Sequence, residues 1–184
     1  IISNTSLANT TATYLGGTGS DVGSCITKDR EGSIYIGGNT PGQGFPITPG
    51  AYGTTTSYNA HPYNTAFISK FDSTLKTLLA STYLRFSETQ NYSVTYIDID
   101  PKGNVIVAGD GGIDYSTKSF VAKLNSELTQ LLATTSFDTT IKAMAVGSYG
   151  NVYLSVNDKI YKLNNDLTRT NYEANIKSVT DITD

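Results

Sequence analysis

Short runs of apolar and β-branched residues alternate with turn-forming Gly, Asn and Asp along most of the chain. Three segments share one pattern of this kind: residues 25–39 (CITKDREGSIYIGGN), 96–110 (YIDIDPKGNVIVAGD) and 143–157 (AMAVGSYGNVYLSVN). In each, a strand-like stretch leads into a turn that ends in glycine, and a small polar residue precedes the next strand-like stretch. The turn glycines are Gly32, Gly103 and Gly150. This pattern predicts a β-hairpin three times.

A second repeated element follows each predicted hairpin and begins at Phe67, Phe120 and Ile160. In each copy, a lysine and an apolar residue precede Asp or Asn, and a leucine follows three positions later. The lysines are Lys70, Lys123 and Lys162, and the leucines are Leu75, Leu128 and Leu167. Asp and Asn favour a tight turn, because their side chains bond to nearby main-chain groups. Each repeat is therefore predicted to be a four-stranded antiparallel meander, in which the recurring lysine has a structural role.

The three repeats differ chiefly in one loop. From the turn glycine to the lysine the chain runs 38 residues in the first repeat, 20 in the second and 12 in the third. Most of this difference lies between the second and third strands, where the loop covers residues 40–65 in the first repeat but only Asn157 and Asp158 in the third. Constant strands with one variable loop indicate a scaffold with a decorated face.

These residues resemble a known family, the SBBP-type β-propeller repeat of bacteria and archaea. The similar stretches are TYLGGTGSDVGS (13–24), GSIYIGGNT (32–40), FPITPGAY (45–52) and AFISKFDSTLKTLLASTYL (66–84). The second repeat keeps GNVIVAG and SFVAKLNSELTQLLAT without the FPxTPGAY loop, and the third keeps little beyond GNVYL and IYKLN. The resemblance implies propeller blades and a secreted or cell-surface location, and it implies no catalytic residues.

We therefore expect an all-β chain with a single region of propeller repeats over 1–184. Its expected parts are the outer strand of a preceding blade (10–17), blade one (18–84), blade two (85–137), blade three (138–178) and the start of a further blade (179–184). Three blades are too few to close a ring, because propellers typically have about four to eight. We expect a larger propeller or one completed by several copies, and a sandwich of stacked meanders is the alternative.

Composition narrows the possible functions. Charged residues make up 16% of the 184 residues and the formal net charge is −3, so nothing favours nucleic acid as a partner. No apolar run approaches the roughly 18–20 residues that span a bilayer. One cysteine, Cys25, excludes an internal disulfide framework, and we expect it to be a buried, inert thiol. One histidine, His61, excludes a multi-histidine metal site.

Low charge with abundant Thr, Asn and Tyr favours a secreted or cell-surface protein. The first ten residues lack a basic start and an apolar stretch, so we expect no signal peptide in this sequence. Without an initiator methionine, we expect a processed chain or a fragment. Asn4, Asn9 and Asn91 each begin an N-glycosylation sequon.

The sequence contains no recognisable catalytic or metal-binding arrangement. His61 lies between Ala60 and Pro62 without a nucleophile motif nearby. Asp98 is expected to face solvent or a blade edge, and Asp100 to cap its turn. Residues 109–116 (GDGGIDYS) lack the spacing of a calcium loop. We predict no catalytic residue, no metal and no cofactor, so the protein is not expected to be an enzyme.

The feature most suited to binding is the loop over 40–65, which four prolines stiffen. Its aromatic residues, which suit protein or glycan recognition, are Phe45, Tyr52, Tyr58 and Tyr63. The alternative is that Phe45 and Tyr52 only hold the loop against its own blade. The expected function is a non-catalytic binding module with a protein or glycan partner. The alternative is a structural subunit of an extracellular assembly or filament, with self-association through open blade edges.

Overall fold

The computed structural model describes residues 11–42, 44–56, 64–87, 90–111 and 117–175. Blade one comprises β1 (Val22–Lys28), β2 (Ile34–Thr40), β3 (Thr65–Phe71) and β4 (Leu78–Leu84). Blade two comprises β5 (Ser93–Ile99), β6 (Val105–Asp110), β7 (Ser119–Leu124) and β8 (Leu131–Phe137). Blade three comprises β9 (Ile141–Val146), β10 (Val152–Val156), β11 (Lys159–Leu163) and β12 (Arg169–Asn175). These residues contain no helix, and consecutive strands pair in three separate antiparallel sheets. The predicted all-β class and four-stranded meanders are confirmed.

The turn between the first two strands of each blade forms as the repeated glycine predicts. In blade two, Gly103 N donates to Asp100 O at 2.9 Å, and Asp100 N donates to Asn104 O at 2.9 Å. Gly103 has a φ of +83°, and its counterparts Gly32 and Gly150 have φ values of +87° and +80°. A side chain is disfavoured in this left-handed region, so glycine recurs at the position.

The second repeated turn places a leucine, not a glycine, in the left-handed region. Leu75, Leu128 and Leu167 have φ values of 58°, 57° and 63°. Leu128 and Leu167 are nevertheless buried, each in the apolar core between its own blade and the preceding one. Burial of a leucine side chain contributes about 1.5–3 kcal/mol, which offsets the cost of about 1–2 kcal/mol for this backbone conformation. The recurring leucine is therefore explained by packing between blades.

The three blades pack in a row. Strands β1, β2 and β3 contact β5, and strands β5 and β6 contact β9, so the first strands of the blades lie side by side. One core lies between blades one and two and includes Tyr35, Ile68 and Phe120. A second core lies between blades two and three and includes Ile106 and Leu154. The three described sheets do not close into a ring, which agrees with the predicted larger or completed propeller.

The far side of blade one is covered by residues from outside its sheet. Phe45, Phe67 and Tyr83 form a third core there, and Leu15 packs against it. Residues 11–17 carry no strand. Leu15 packs partly buried against the core of Phe67, whereas Leu84 is a fully buried member of the core that holds Phe120. The assignment of residues 10–17 to a preceding blade stays a prediction.

Candidate functional site

The structure gives the first predicted binding residue a packing role. Phe45 is 5% exposed, and its ring centroid lies 4.4 Å from that of Phe67. The loop is also bonded to the edge of β4, since Thr48 N donates to Ser81 O at 3.2 Å and Tyr83 N donates to Gly53 O at 3.0 Å. These contacts agree with the alternative in which Phe45 holds the loop against its own blade.

The other predicted site residues are scattered or lie outside the described part of the chain. Tyr52 is 39% exposed, and its N donates to Leu128 O of blade two at 2.9 Å. Asn91 is exposed, and its Oδ1 accepts from Asn64 N at 2.8 Å. The residues outside the described ranges are Asn4, Asn9, Tyr58, His61 and Tyr63.

The carboxylate that begins the turn of blade two is enclosed by polar partners. Asp100 Oδ2 lies 2.7 Å from Lys123 Nζ and accepts from Asn104 Nδ2 at 2.9 Å. Burial alone would raise the pKa of Asp100, but Lys123 and the Asn104 side chain and main chain lower it below its ordinary value. Lys123 Nζ also donates to Asn165 O of blade three at 3.0 Å. Asp100 is predicted to cap its turn. Through Lys123, it also belongs to a set of polar contacts that joins blade two to blade three.

The same arrangement recurs in blade one but not in blade three. Asp29 Oδ2 lies 3.6 Å from Lys70 Nζ and accepts from Tyr35 Oη at 3.2 Å. Burial raises the pKa of Asp29, but the Ser33 main chain and the Lys70 charge outweigh this and lower it. In blade three the corresponding position is Gly147, so that blade has no turn carboxylate for its own lysine.

A cleft of about 260 Å³ lies where the first turns of the three blades meet. We call it the turn cleft, and the described residues that line it are Lys28, Asp29, Arg30, Asp98, Ile99, Asp100, Pro101, Val146, Gly147 and Ser148. Each blade contributes residues to the wall of this cleft. The packing of the sheets against one another therefore fixes where these residues lie. A cleft of this size accommodates a side chain or a small ligand.

The free charges of the turn cleft are mainly positive. Asp29 and Asp100 are neutralised by their lysines, whereas Lys28 and Arg30 are exposed and form no ion pair among the described residues. Asp98 is held in the wall, because it accepts from Ile99 N at 2.8 Å and from Val146 N of blade three at 3.3 Å. Two cations beside one fixed carboxylate give the cleft a positive charge in a chain of net charge −3.

A second candidate surface is the far side of blade three, which no described residue covers. Tyr153 is 39% exposed and Ile160 is 37% exposed on this side. Together with Ala143, Ala145 and Ser155 they line an apolar depression of about 190 Å³. The ammonium of Lys162 lies 6.0 Å from the centroid of the Tyr153 ring. We call this surface the open face.

Other chemistry is sparse in the described ranges. Cys25 is partly buried beside the core between blades one and two, and burial raises its pKa to about 11. Its thiol is therefore protonated at neutral pH and a poor nucleophile. No three metal-ligating side chains come together in the part of the chain that the structure describes. The same part contains no helix long and apolar enough to cross a membrane.

The turn cleft could not be predicted from the sequence, because its residues come from three repeats that lie far apart in the chain. The repeated glycine turns were the available signal, since corresponding turns lie at the same end of packed blades. The charged residues beside them, such as Lys28 and Asp98, carried no local motif.

The comparisons with known proteins agree with this architecture. A family model described as the SBBP beta-propeller repeat matches residues 12–46, which run from the segment before blade one to Pro46. No curated protein sequence matches the chain. The chain therefore carries an SBBP β-propeller repeat at residues 12–46, and its three four-stranded sheets are consistent with propeller blades.

Proposed function

We propose that this chain is a non-catalytic module of a secreted or cell-surface protein and that it binds an acidic segment of a partner protein in the turn cleft. The observation that carries the proposal is the pair of exposed cations, Lys28 and Arg30, beside the fixed carboxylate of Asp98. A partner carboxylate would pair with the two cations, and Asp98 would accept from a main-chain N–H of the same segment.

The lining of the turn cleft favours a protein over a glycan. None of its described lining residues is aromatic, whereas sugar recognition commonly uses the flat face of an aromatic ring. Arginine and lysine on a rigid wall suit the recognition of acidic side chains. Binding of oligosaccharides in place of acidic peptides would identify a glycan partner instead.

The sequence and two ion pairs support a non-catalytic role. The one histidine, His61, has no nucleophile motif near it. The turn carboxylates Asp29 and Asp100 are engaged by lysines of their own blades, so they are poorly suited to act as general acids or bases. Enzyme activity on a substrate panel would contradict this part directly.

Binding is tested by isothermal titration calorimetry with acidic peptides, composition-matched neutral peptides and uronate-containing oligosaccharides. The proposal predicts binding of the acidic peptides, weakened at least about tenfold by Lys28→Gln with Arg30→Gln. Lys76→Gln is the matched control, because Lys76 is an exposed lysine outside the turn cleft. Binding of the oligosaccharides alone would replace the protein partner by a glycan, and equal binding by the double variant would refute the site.

A second candidate function is a structural subunit of an extracellular assembly. The observation that favours it is the open face, since exposed apolar surface on a sheet marks a place for association. The two functions are separable, because the turn cleft and the open face share no lining residue.

A further inference from the structure

Each internal boundary between blades repeats one contact. We call the three residues that the first blade of each pair contributes the lysine patch. They lie on the second and third strands of that blade. The lysine patches at these boundaries are Tyr35, Ile68 and Lys70 in blade one, and Ile106, Val121 and Lys123 in blade two. Their apolar members are fully buried, with 0% exposure. In both blades the lysine lies directly across the strand pair from the first member of the patch.

On the later blade, the second repeated turn meets this patch. Leu128 of blade two is buried in the core that holds Tyr35 and Ile68. Lys70 also lies close enough to this turn that its charge, after the Ser126 hydroxyl and the main chain, helps to lower the pKa of Glu127.

The next boundary repeats the contact with a direct bond. Leu167 of blade three is buried in the core that holds Ile106 and Val121. Lys123 Nζ donates to Asn165 Oδ1 at 2.5 Å in the same turn. At both internal boundaries, the lysine patch of one blade therefore packs against the second repeated turn of the next blade.

Among the described residues, no turn packs against the lysine patch of blade three. In blade three the corresponding residues are Tyr153, Ile160 and Lys162, which lie on the open face. Tyr153 and Ile160 are more than one-third exposed where their counterparts are fully buried. Lys162 forms no ion pair with any described residue and lies over the Tyr153 ring.

One turn of blade one has no lysine patch against it among the described residues. The turn over 72–75 in blade one corresponds to those that hold Leu128 and Leu167. Its leucine, Leu75, is only half-buried, and Ser73 is exposed. Asp72 begins this turn, and its Oδ1 accepts from Lys76 N at 2.8 Å and from Thr77 N at 2.9 Å.

We infer that a second copy of this chain packs head to tail against the first, with the open face of one copy on blade one of the other. Within the described residues, the unpaired halves of the repeated contact lie on blade three and blade one. These two surfaces correspond to the two sides of an internal boundary, so two copies can supply each other's missing half. This inference rests on the second candidate function and specifies its partner.

The segment before blade one is compatible with this packing. Leu15 already makes the contact with the core of Phe67 that the outer strand of a preceding blade would make. The lysine patch of the incoming copy lies on β10 and β11, and it would meet the turn over 72–75 beside this covered core.

Sedimentation equilibrium over a range of concentrations measures this association. The unsubstituted chain is expected to form dimers, and Tyr153→Asp is expected to raise the dissociation constant at least about tenfold. Tyr149→Asp is the matched control, since Tyr149 is 87% exposed and does not line the open face. A strictly monomeric unsubstituted chain would overturn the inference, as would equal dissociation constants for the two variants. Neither result would affect peptide binding in the turn cleft.

Cross-linking with a short bismaleimide tests the head-to-tail direction. A mixture of Lys162→Cys chains and Ser73→Cys chains is expected to give cross-linked heterodimers. Either variant alone is expected to give no cross-linked dimer. Homodimers from Lys162→Cys alone would show that two open faces meet each other and would overturn the inference. The unsubstituted chain is the labelling control, because its single cysteine is the poorly reactive Cys25. Both substituted positions lie on the surface, so folding of the variants is readily preserved.

Discussion

Lys123 Nζ lies 2.7 Å from Asp100 Oδ2, and both side chains are enclosed by the packing of blades two and three. A buried ion pair is costly to desolvate, but here each partner has additional hydrogen bonds, to Asn104 on one side and Asn165 on the other. The pair thereby couples a turn within one blade to the position of the next.

Lys123→Met should destabilise the chain strongly, because it leaves the buried Asp100 carboxylate without its cation. We expect a loss of about 3–5 kcal/mol in the free energy of unfolding, measured by urea denaturation. Lys118→Met, at an exposed lysine, should change it by no more than about 0.5 kcal/mol. Equal stability of the two variants would show that the ion pair is not formed.

Stability should fall in acid in a way that depends on Asp100. The folded-state pKa of Asp100 is lowered, so its stabilisation is fully present above the unfolded carboxyl pKa of about 3.9 and is lost as pH falls through the folded value. Urea unfolding at a series of pH values below about 5 measures this loss. Asp100→Asn should be less stable at neutral pH and should show a smaller decline in acid. An unchanged decline would assign the acid sensitivity to other groups.

Gly109→Ala should distort the pairing of β5 with β6. A Cβ atom at Gly109 would lie 1.9 Å from Ser93 O, a main-chain atom that cannot move away without shifting the strand. We expect a loss of about 1–3 kcal/mol on thermal unfolding. The control is Gly23→Ala, whose Cβ would meet only the Ile36 side chain at 3.4 Å. A smaller loss for Gly109→Ala than for the control would contradict this register.

Asn91 should accept a glycan if the chain passes through a secretory pathway that glycosylates sequons. Its side chain is exposed at the start of the segment leading into β5. Mass spectrometry of protein secreted from such a host should show modification that Asn91→Gln removes. Unmodified Asn91 in the secreted chain would exclude this use of the sequon.

Much of the fold was predictable because the repeated residues encode local geometry. Gly103 and its counterparts require left-handed turns, and Lys123 recurs at strand spacing, so the meanders and a structural role for the lysine follow from the sequence alone. The turn cleft was not predictable, since Lys28 and Asp98 meet only after blades pack. Phe45 illustrates a further limit: an aromatic residue in a proline-rich loop has the same sequence pattern whether it binds a partner or its own blade.

A double-mutant cycle between Lys123 and Asn165 measures most directly whether each blade is joined to the next by its lysine. The free energies of unfolding of Lys123→Met, Asn165→Ala and the double variant are compared with that of the unsubstituted chain. Packing of blade two on blade three predicts that the two losses are not additive, with a coupling of about 0.5–3 kcal/mol. Losses that add to within about 0.3 kcal/mol would show that the two side chains do not meet, and would contradict the face-to-face arrangement of the blades.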